Sequence, residues 1–251
     1  MYRSISTNAI VIRRERMGEF HKNLSLLTSD LGLINATAYG AFKMQSRLRL
    51  GSEPFTWSQT QLYHNPVKRS YKVTEMEINA SFGGLQSSVP RLAAASLWAE
   101  VVQKSYGAGE LSGQLFPLLL ASLQLLDAAD DAHAPYITIQ FLWRFLGLAG
   151  YQPDTSACDR CGAGLEGPHG AVYSASSSSL LCHNCSMDHS PSLPSGALRY
   201  LEATSGVDIA RAMDIGLEDD SLQAVWKVLP LMVQSVLEGE LTSLRLVGAR
   251  A

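Results

Sequence analysis

Long apolar runs are missing from this chain. The longest uncharged stretch in a hydrophobic setting, residues 111–126, is closed by Glu110 and Asp127 and falls short of the roughly 20 residues a membrane-spanning helix needs. The first twelve residues place Arg3 before a short, polar-interrupted stretch. They have neither the apolar core nor the small-residue cleavage site of a secretory signal. The sequence therefore predicts no membrane span and no export. Charge is also sparse, at 17% of residues, but 46% are hydrophobic, which excludes intrinsic disorder. Over 251 residues that composition predicts one large domain or two modest ones around a substantial core.

Enzymatic motifs are missing too. The six histidines, His21, His64, His133, His169, His183 and His189, are scattered, and no serine or cysteine sits in a nucleophile motif. The glycine-rich stretches 106–109 and 162–164 neither follow a strand nor lead into the Lys-Ser/Thr ending of a phosphate-binding loop, so they read as loop glycines. Asp127, Asp130 and Asp131, and again Glu218, Asp219 and Asp220, read as helix capping and solubility rather than metal chemistry. The expectation is a binding protein and not an enzyme.

The charge that is present is unevenly distributed. Residues 1–83 carry 11 Lys plus Arg against 6 Asp plus Glu, a net of +5, whereas residues 84–251 carry a net of −8. Such asymmetry points to a basic module able to meet an anionic polymer, joined to an acidic body. The same boundary, at Gly83-Gly84, separates two hydrophobic periods. Before it, runs at 9–12, 23–28, 31–39, 55–63 and 70–78 read as strands, with turn chemistry at Asp30-Gly32 and Asn65-Pro66. Five short strands in so short a span suit a small barrel. Between the third and fourth lies a long basic loop, residues 40–54, bounded by glycine and proline. After the boundary the spacing is helical: Leu97, Trp98, Val101 and Val102; Ile137, Phe141, Phe145 and Leu148; Leu222, Val225, Trp226, Leu229, Val233 and Val236. Residues 111–126 add an apolar helix with Pro117 in or near its first turn, and Pro230 is expected to kink or locally disturb the last helix.

All four cysteines fall in one segment of an insertion spanning residues 151–194. Cys158 and Cys161 form one CxxC, Cys182 and Cys185 a second, and 20 residues separate them. Each pair turns two thiolates toward one point, and two such knuckles complete the closed tetrahedron that Zn²⁺ prefers. Four cysteines leave no open coordination position, so the expected metal is structural, not catalytic. Two disulfides remain the alternative, disfavoured by the missing export signal. His183 reads as an exposed loop residue rather than a ligand.

A second constellation is basic. Arg13, Arg14 and Arg16 follow the first strand, then come Lys22, then Lys43, Arg47 and Arg49 in the long loop, then Lys68, Arg69 and Lys72. Tyr39, Phe42, Trp57 and Tyr63 interleave with them, either as stacking faces beside a phosphate-tracking groove or as barrel core. As a cluster on the only basic region of an acidic chain, these residues predict nucleic-acid binding.

In this order the residues resemble the bacterial DNA repair protein RecO family of recombination mediators. The resemblance rests on Ala9-Ile10-Val11-Ile12-Arg13, Gly18-Glu19, Leu26-Leu27-Thr28, Gly32-Leu33-Ile34, Gly40-Ala41, Ser46-Arg47 and Pro54-Phe55. It continues through residues 141–147, Gly150-Tyr151-Gln152-Pro153 and Cys158-Asp159-Arg160-Cys161-Gly162. It implies a multidomain α+β protein: an N-terminal OB-fold β-barrel at 1–83 that binds DNA, and a C-terminal α-helical domain at 84–251 with the inserted four-cysteine zinc module. It further implies a cytoplasmic, nucleoid-associated bacterial protein that binds and anneals single- and double-stranded DNA. Its partners would be RecR and the acidic C-terminal tail of single-stranded DNA-binding protein (SSB), and together they would help load RecA onto SSB-coated DNA. Contacts to DNA are expected from Arg13, Arg14, Lys22, Lys43, Arg47, Arg49, Lys68 and Arg69. Arg144, on the helix carrying Phe141 and Phe145, is the candidate for partner binding. The family's loop after Gly-Ala is often densely basic, whereas here Phe42, Met44 and Gln45 dilute it. The diluted loop and the acidic body leave a second expectation, a protein-interaction adaptor with weak or indirect DNA contact.

Overall fold

Alternation in the first 80 residues builds five strands: β1 (Ser4–Met17), β2 (His21–Thr28), β3 (Gly32–Ala38), β4 (Trp57–Asn65) and β5 (Ser70–Ala80). In the computed structural model, which describes residues 3–105, 112–186 and 190–247, they close into a barrel of order β1-β2-β3-β5-β4. All pairs are antiparallel except β3 with β5, where Ala36 meets Tyr71 and Thr37 meets Lys72. This is an OB-like arrangement. Ala9, Val11, Leu24, Leu26, Ala36, Leu62 and Val73 fill its interior. Ile10, one step out of phase with Ala9 and Val11, is also fully buried, which places apolar cover on the outer face as well.

That cover is helical. After α1 (Leu48–Gly51) in the long loop and α2 (Gly83–Gln86) come α3 (Val89–Lys104) and α4 (Ser112–Ala128). Ser88 starts α3 by accepting the Arg91 amide, and a proline follows in the first turn. α3 packs on β1, and α4 on β2 and β3. Strand gives way to helix at Gly83, but the first compact unit runs on to Ala128 because these helices lie against the barrel.

The second unit, Ala129–Ala251, is built on α5 (Ala134–Leu148), whose Ile137, Phe141, Trp143 and Phe145 are buried. Three short strands follow, β6 (Ala171–Ser174), β7 (Ser179–Leu181) and β8 (Ser192–Leu193), forming a sheet of order β7-β6-β8. Helices α6 (Ser195–Ser205), α7 (Ile209–Ala212), α8 (Asp219–Leu237) and α9 (Leu244–Val247) complete it. Asp219 and Asp220 lie in the first turn of α8, where the helix dipole favours acids. Pro230 is buried within α8, which runs through it as one element. Residues 106–109, Leu111 and His189 lie outside the described residues. Among those described, no helix is long and apolar enough to cross a membrane.

Candidate nucleic-acid interface and metal centre

Strand register decides which basic residues meet. The β1–β2 turn leads into His21 and Lys22, and Lys22 pairs with Ala38 at the end of β3. That end of β3 pairs with the start of β5, reached from β4 through the turn at residues 65–70. The β1–β2 and β4–β5 turns therefore share one end of the barrel with the long loop after β3. These two turns are the loops through which small barrels of this kind hold oligonucleotides.

Cations and aromatic rings gather at that mouth. Phe42 stands among Arg14, Arg16 and Lys22, whose cationic centres lie 5.9, 5.6 and 4.9 Å from its ring centroid. The Lys43 ammonium lies 5.5 Å from the Phe20 ring, and that of Lys72 5.3 Å from Tyr39. His21 meets Tyr39 edge to face at 5.1 Å and is oriented by the Gly40 amide, which donates to its Nδ1 at 2.9 Å. Tyr39 and Phe20 are both substantially exposed. Phe20 is a member the sequence reading missed; its signal was an aromatic beside Gly18, which turns the hairpin at φ +63°. Trp57 starts β4 opposite Ile10, far along the strand from the 65–70 turn, and its indole donates to Asn8.

The expected contacts divide into two groups. Lys43, Arg47, Arg49, Lys68 and Arg69 are exposed, and among the described residues no carboxylate pairs with them. Arg13 is paired with Glu15 and Arg14 with Glu53, each at 2.9 Å. Lys22 requires a correction. It is fully buried, because it shares the inward parity of Leu24 and Leu26, and its ammonium donates to Arg49 O, Ser52 Oγ and Glu53 Oε1. All three of its donors are used within the protein, so it has none to offer a phosphate. The loop at 40–54 is likewise anchored: Ala41 and Leu48 join the barrel core, and α1 lies so close to β5 that a Cβ on Gly51 would meet Met76 Cβ at 2.9 Å.

The cysteines converge in the second unit. Cys158, Cys161, Cys182 and Cys185 bring their sulfurs within 4.8 Å of one another. The Cys161–Cys182 separation is 3.7 Å, far beyond a disulfide and close to the edge of about 3.8 Å expected for a tetrahedron of sulfurs about 2.3 Å from a zinc ion. None of the four is joined in a disulfide. The first knuckle turns at Gly162, φ +72°, whose amide donates to Cys158 O, and the Asp159 amide ties it to β7 through Leu180 O. In the second, Arg160 reaches across to Cys185 O at 2.8 Å. Burial opposes ionisation of Cys158, but hydrogen bonds from the Cys182, Cys161 and Arg160 amides and the Cys161 thiol bring it down to about 6. Hydrogen bonds with Cys161 and Cys182, then burial and the nearby Cys158 charge, push Cys185 up to about 12. Four thiolates this close repel one another unless a cation lies between them, so the donor set suits a thiophilic dication. His183 is exposed and stacks on His169 at 6.0 Å, outside the sulfur cluster.

Arg144 is half-buried, and its Nη2 donates to Thr204 O and Val207 O at 3.0 and 2.7 Å, closing the end of α6. Burial lowers its pKa, while Asp208 and Tyr200 act in the opposite direction. These bonds give it a packing role at the end of α6. An open apolar groove of about 890 Å³ lies along α8, lined by Leu222, Trp226, Leu231 and Leu244, with Lys227 among its lining residues.

Comparison with known families agrees with this architecture. A model described as recombination protein O N terminal matches residues 1–82, and one described as recombination protein O C terminal matches residues 86–245. The chain belongs to the RecO family. The DNA repair protein RecO of Heliobacterium modesticaldum is 36% identical over 186 residues, covering 72% of this chain and 66% of that protein. That of Rubrobacter xylanophilus is 30% identical over 223 residues, 87% of each chain. The N-terminal match ends two residues beyond the last barrel strand, and the C-terminal match takes in the cysteine cluster. Membership places the chain among recombination-repair proteins.

Proposed function

We propose that this chain is a non-enzymatic recombination mediator that binds and anneals DNA and, with RecR, helps load RecA onto SSB-coated single strands. The observation that carries the reading is the barrel mouth: five cations that no described carboxylate pairs, on the loops and turns that adjoin exposed Phe20 and Tyr39. Unpaired cations supply phosphate affinity, and aromatic faces supply sequence-tolerant stacking. In this reading residues 1–83 are the DNA-binding domain, 84–251 the helical domain, and 151–194 a module whose cysteines hold a structural Zn²⁺. Arg13 and Arg14 are secondary contacts because each already carries a carboxylate partner.

The adaptor reading draws on the groove along α8, whose apolar wall suits the hydrophobic end of an SSB tail; Lys227 is the cation in a lining that also holds Asp219. One experiment separates the two. The purified chain is titrated onto a labelled single-stranded oligonucleotide over a salt series, with and without an SSB tail peptide and RecR. Salt-sensitive binding by the chain alone supports the mediator; binding that requires the peptide or RecR makes it an adaptor.

A further inference from the structure

Lysine is among the residues least often fully buried, and Lys22 is buried completely. An apolar side chain would fill an inward barrel position at lower cost, since removing an ammonium from water is repaid only when every donor is met. Here every donor is met by one short segment. Arg49 O at 3.2 Å, Ser52 Oγ at 2.7 Å and Glu53 Oε1 at 2.9 Å all belong to the end of the long loop. The ring of Phe42, near the loop's beginning, packs 4.9 Å from the same nitrogen. Glu53 then reaches back through Oε2 to Arg14 on β1 at 2.9 Å. A carboxylate in a cationic mouth works against phosphate binding; its place is explained by this bridge between two strands and the loop.

We propose that Lys22 is a positioning residue for nucleic-acid binding: its buried ammonium latches the loop bearing Lys43, Arg47 and Arg49 to the barrel and touches no nucleic acid itself. The proposal rests on the nucleic-acid reading of the barrel mouth. A loop held at both ends presents its three cations already ordered, so binding does not have to fix them.

The test uses the full chain with Lys22→Met and, as a milder change, Ser52→Ala. Amide hydrogen exchange is followed without DNA, and affinity for a fluorescein-labelled oligothymidine is measured over a salt series. The latch predicts faster exchange confined to residues 40–55, with strand amides unchanged. It also predicts an affinity loss of about tenfold for Lys22→Met, and a smaller one for Ser52→Ala, at every salt concentration. The slope of log K against log salt stays the same, because the same phosphates are still neutralised. Direct contact would instead flatten the slope by about 0.7 and leave loop exchange unchanged, and that result overturns the proposal. So does a loosened loop that binds with full affinity. Should Lys22→Met fail to fold, Ser52→Ala decides alone: a folded barrel with unchanged exchange and affinity overturns it. If the unaltered chain binds no DNA, the nucleic-acid reading fails, and the exchange arm still reports whether the latch exists.

Discussion

The division between paired and unpaired cations carries a quantitative consequence. On a single strand, each phosphate neutralised contributes about −0.7 to the slope of log K against log salt. If Lys43, Arg47, Arg49, Lys68 and Arg69 each meet one phosphate, they contribute about −3.5 together, and raising salt fourfold weakens their share of binding by about 130-fold. Replacing any one by alanine is expected to flatten the slope by about 0.7, and replacing the three loop cations by about 2. Arg13 and Arg14 behave differently. Each is tied to a carboxylate at 2.9 Å: Arg13 and Glu15 form a pair of little net charge, so alanine at Arg13 leaves the slope nearly unchanged, whereas Arg14 shares Glu53 with Lys22, so alanine there flattens the slope by less than the loss of a free cation does. Fluorescence anisotropy with a labelled single-stranded oligonucleotide, from about 50 to 200 mM salt, reads all of these slopes. Equal flattening by Arg13→Ala and by Arg47→Ala would refute the division. An unchanged slope after removal of all five would refute the barrel mouth as the site.

The other predictions concern the metal, the helical unit and pH. The purified chain should carry one zinc by elemental analysis; Cys158→Ser or a strong chelator should remove it and speed hydrogen exchange in β6 and β7 without altering the oligonucleotide salt slope. Arg144→Ala should cost about 2 kcal/mol in a denaturant titration, through the lost charge-assisted bonds at the end of α6, and leave binding of an SSB tail peptide unchanged. Asp30 accepts bonds from the Ser29 and Thr7 hydroxyls, which hold its pKa below 3.8. Its contribution to stability is therefore complete above 3.8 and lost as pH falls through the lower folded value, so the melting difference between the native chain and Asp30→Asn should shrink below that pH.

Much of the fold was legible because it follows local periods. The five expected strands all form: β2, β3 and β5 lie close to their expected bounds, while β1 extends from the expected core of 9–12 out to Ser4 and Met17. The extension was hidden because the Arg13 to Arg16 run looks like a loop, whereas pairing with Lys22 to Ser25 keeps it in the sheet. The helical stripes at Ile137, Phe141 and Phe145, and at Val225, Leu229 and Val233, are buried as their spacing requires. The parity of Lys22 with Leu24 and Leu26 was present in the sequence as well, but its charge argued for the surface. The three acceptors that overrule that argument lie 27 to 31 residues further on.

Residue type and near-neighbour spacing are enough to place the change of period at Gly83, the paired CxxC knuckles and the confinement of positive net charge to the first third of the chain. They are not enough to say which cations are free. That choice was made by closure of β3 on β5, which gathers both turns and the long loop at one mouth, and by the carboxylates and carbonyls that folding brings within reach of Arg13, Arg14, Lys22 and Arg144. A charge is available to a partner only when the fold has not already satisfied it, and the groups that satisfy it come largely from distant parts of the chain.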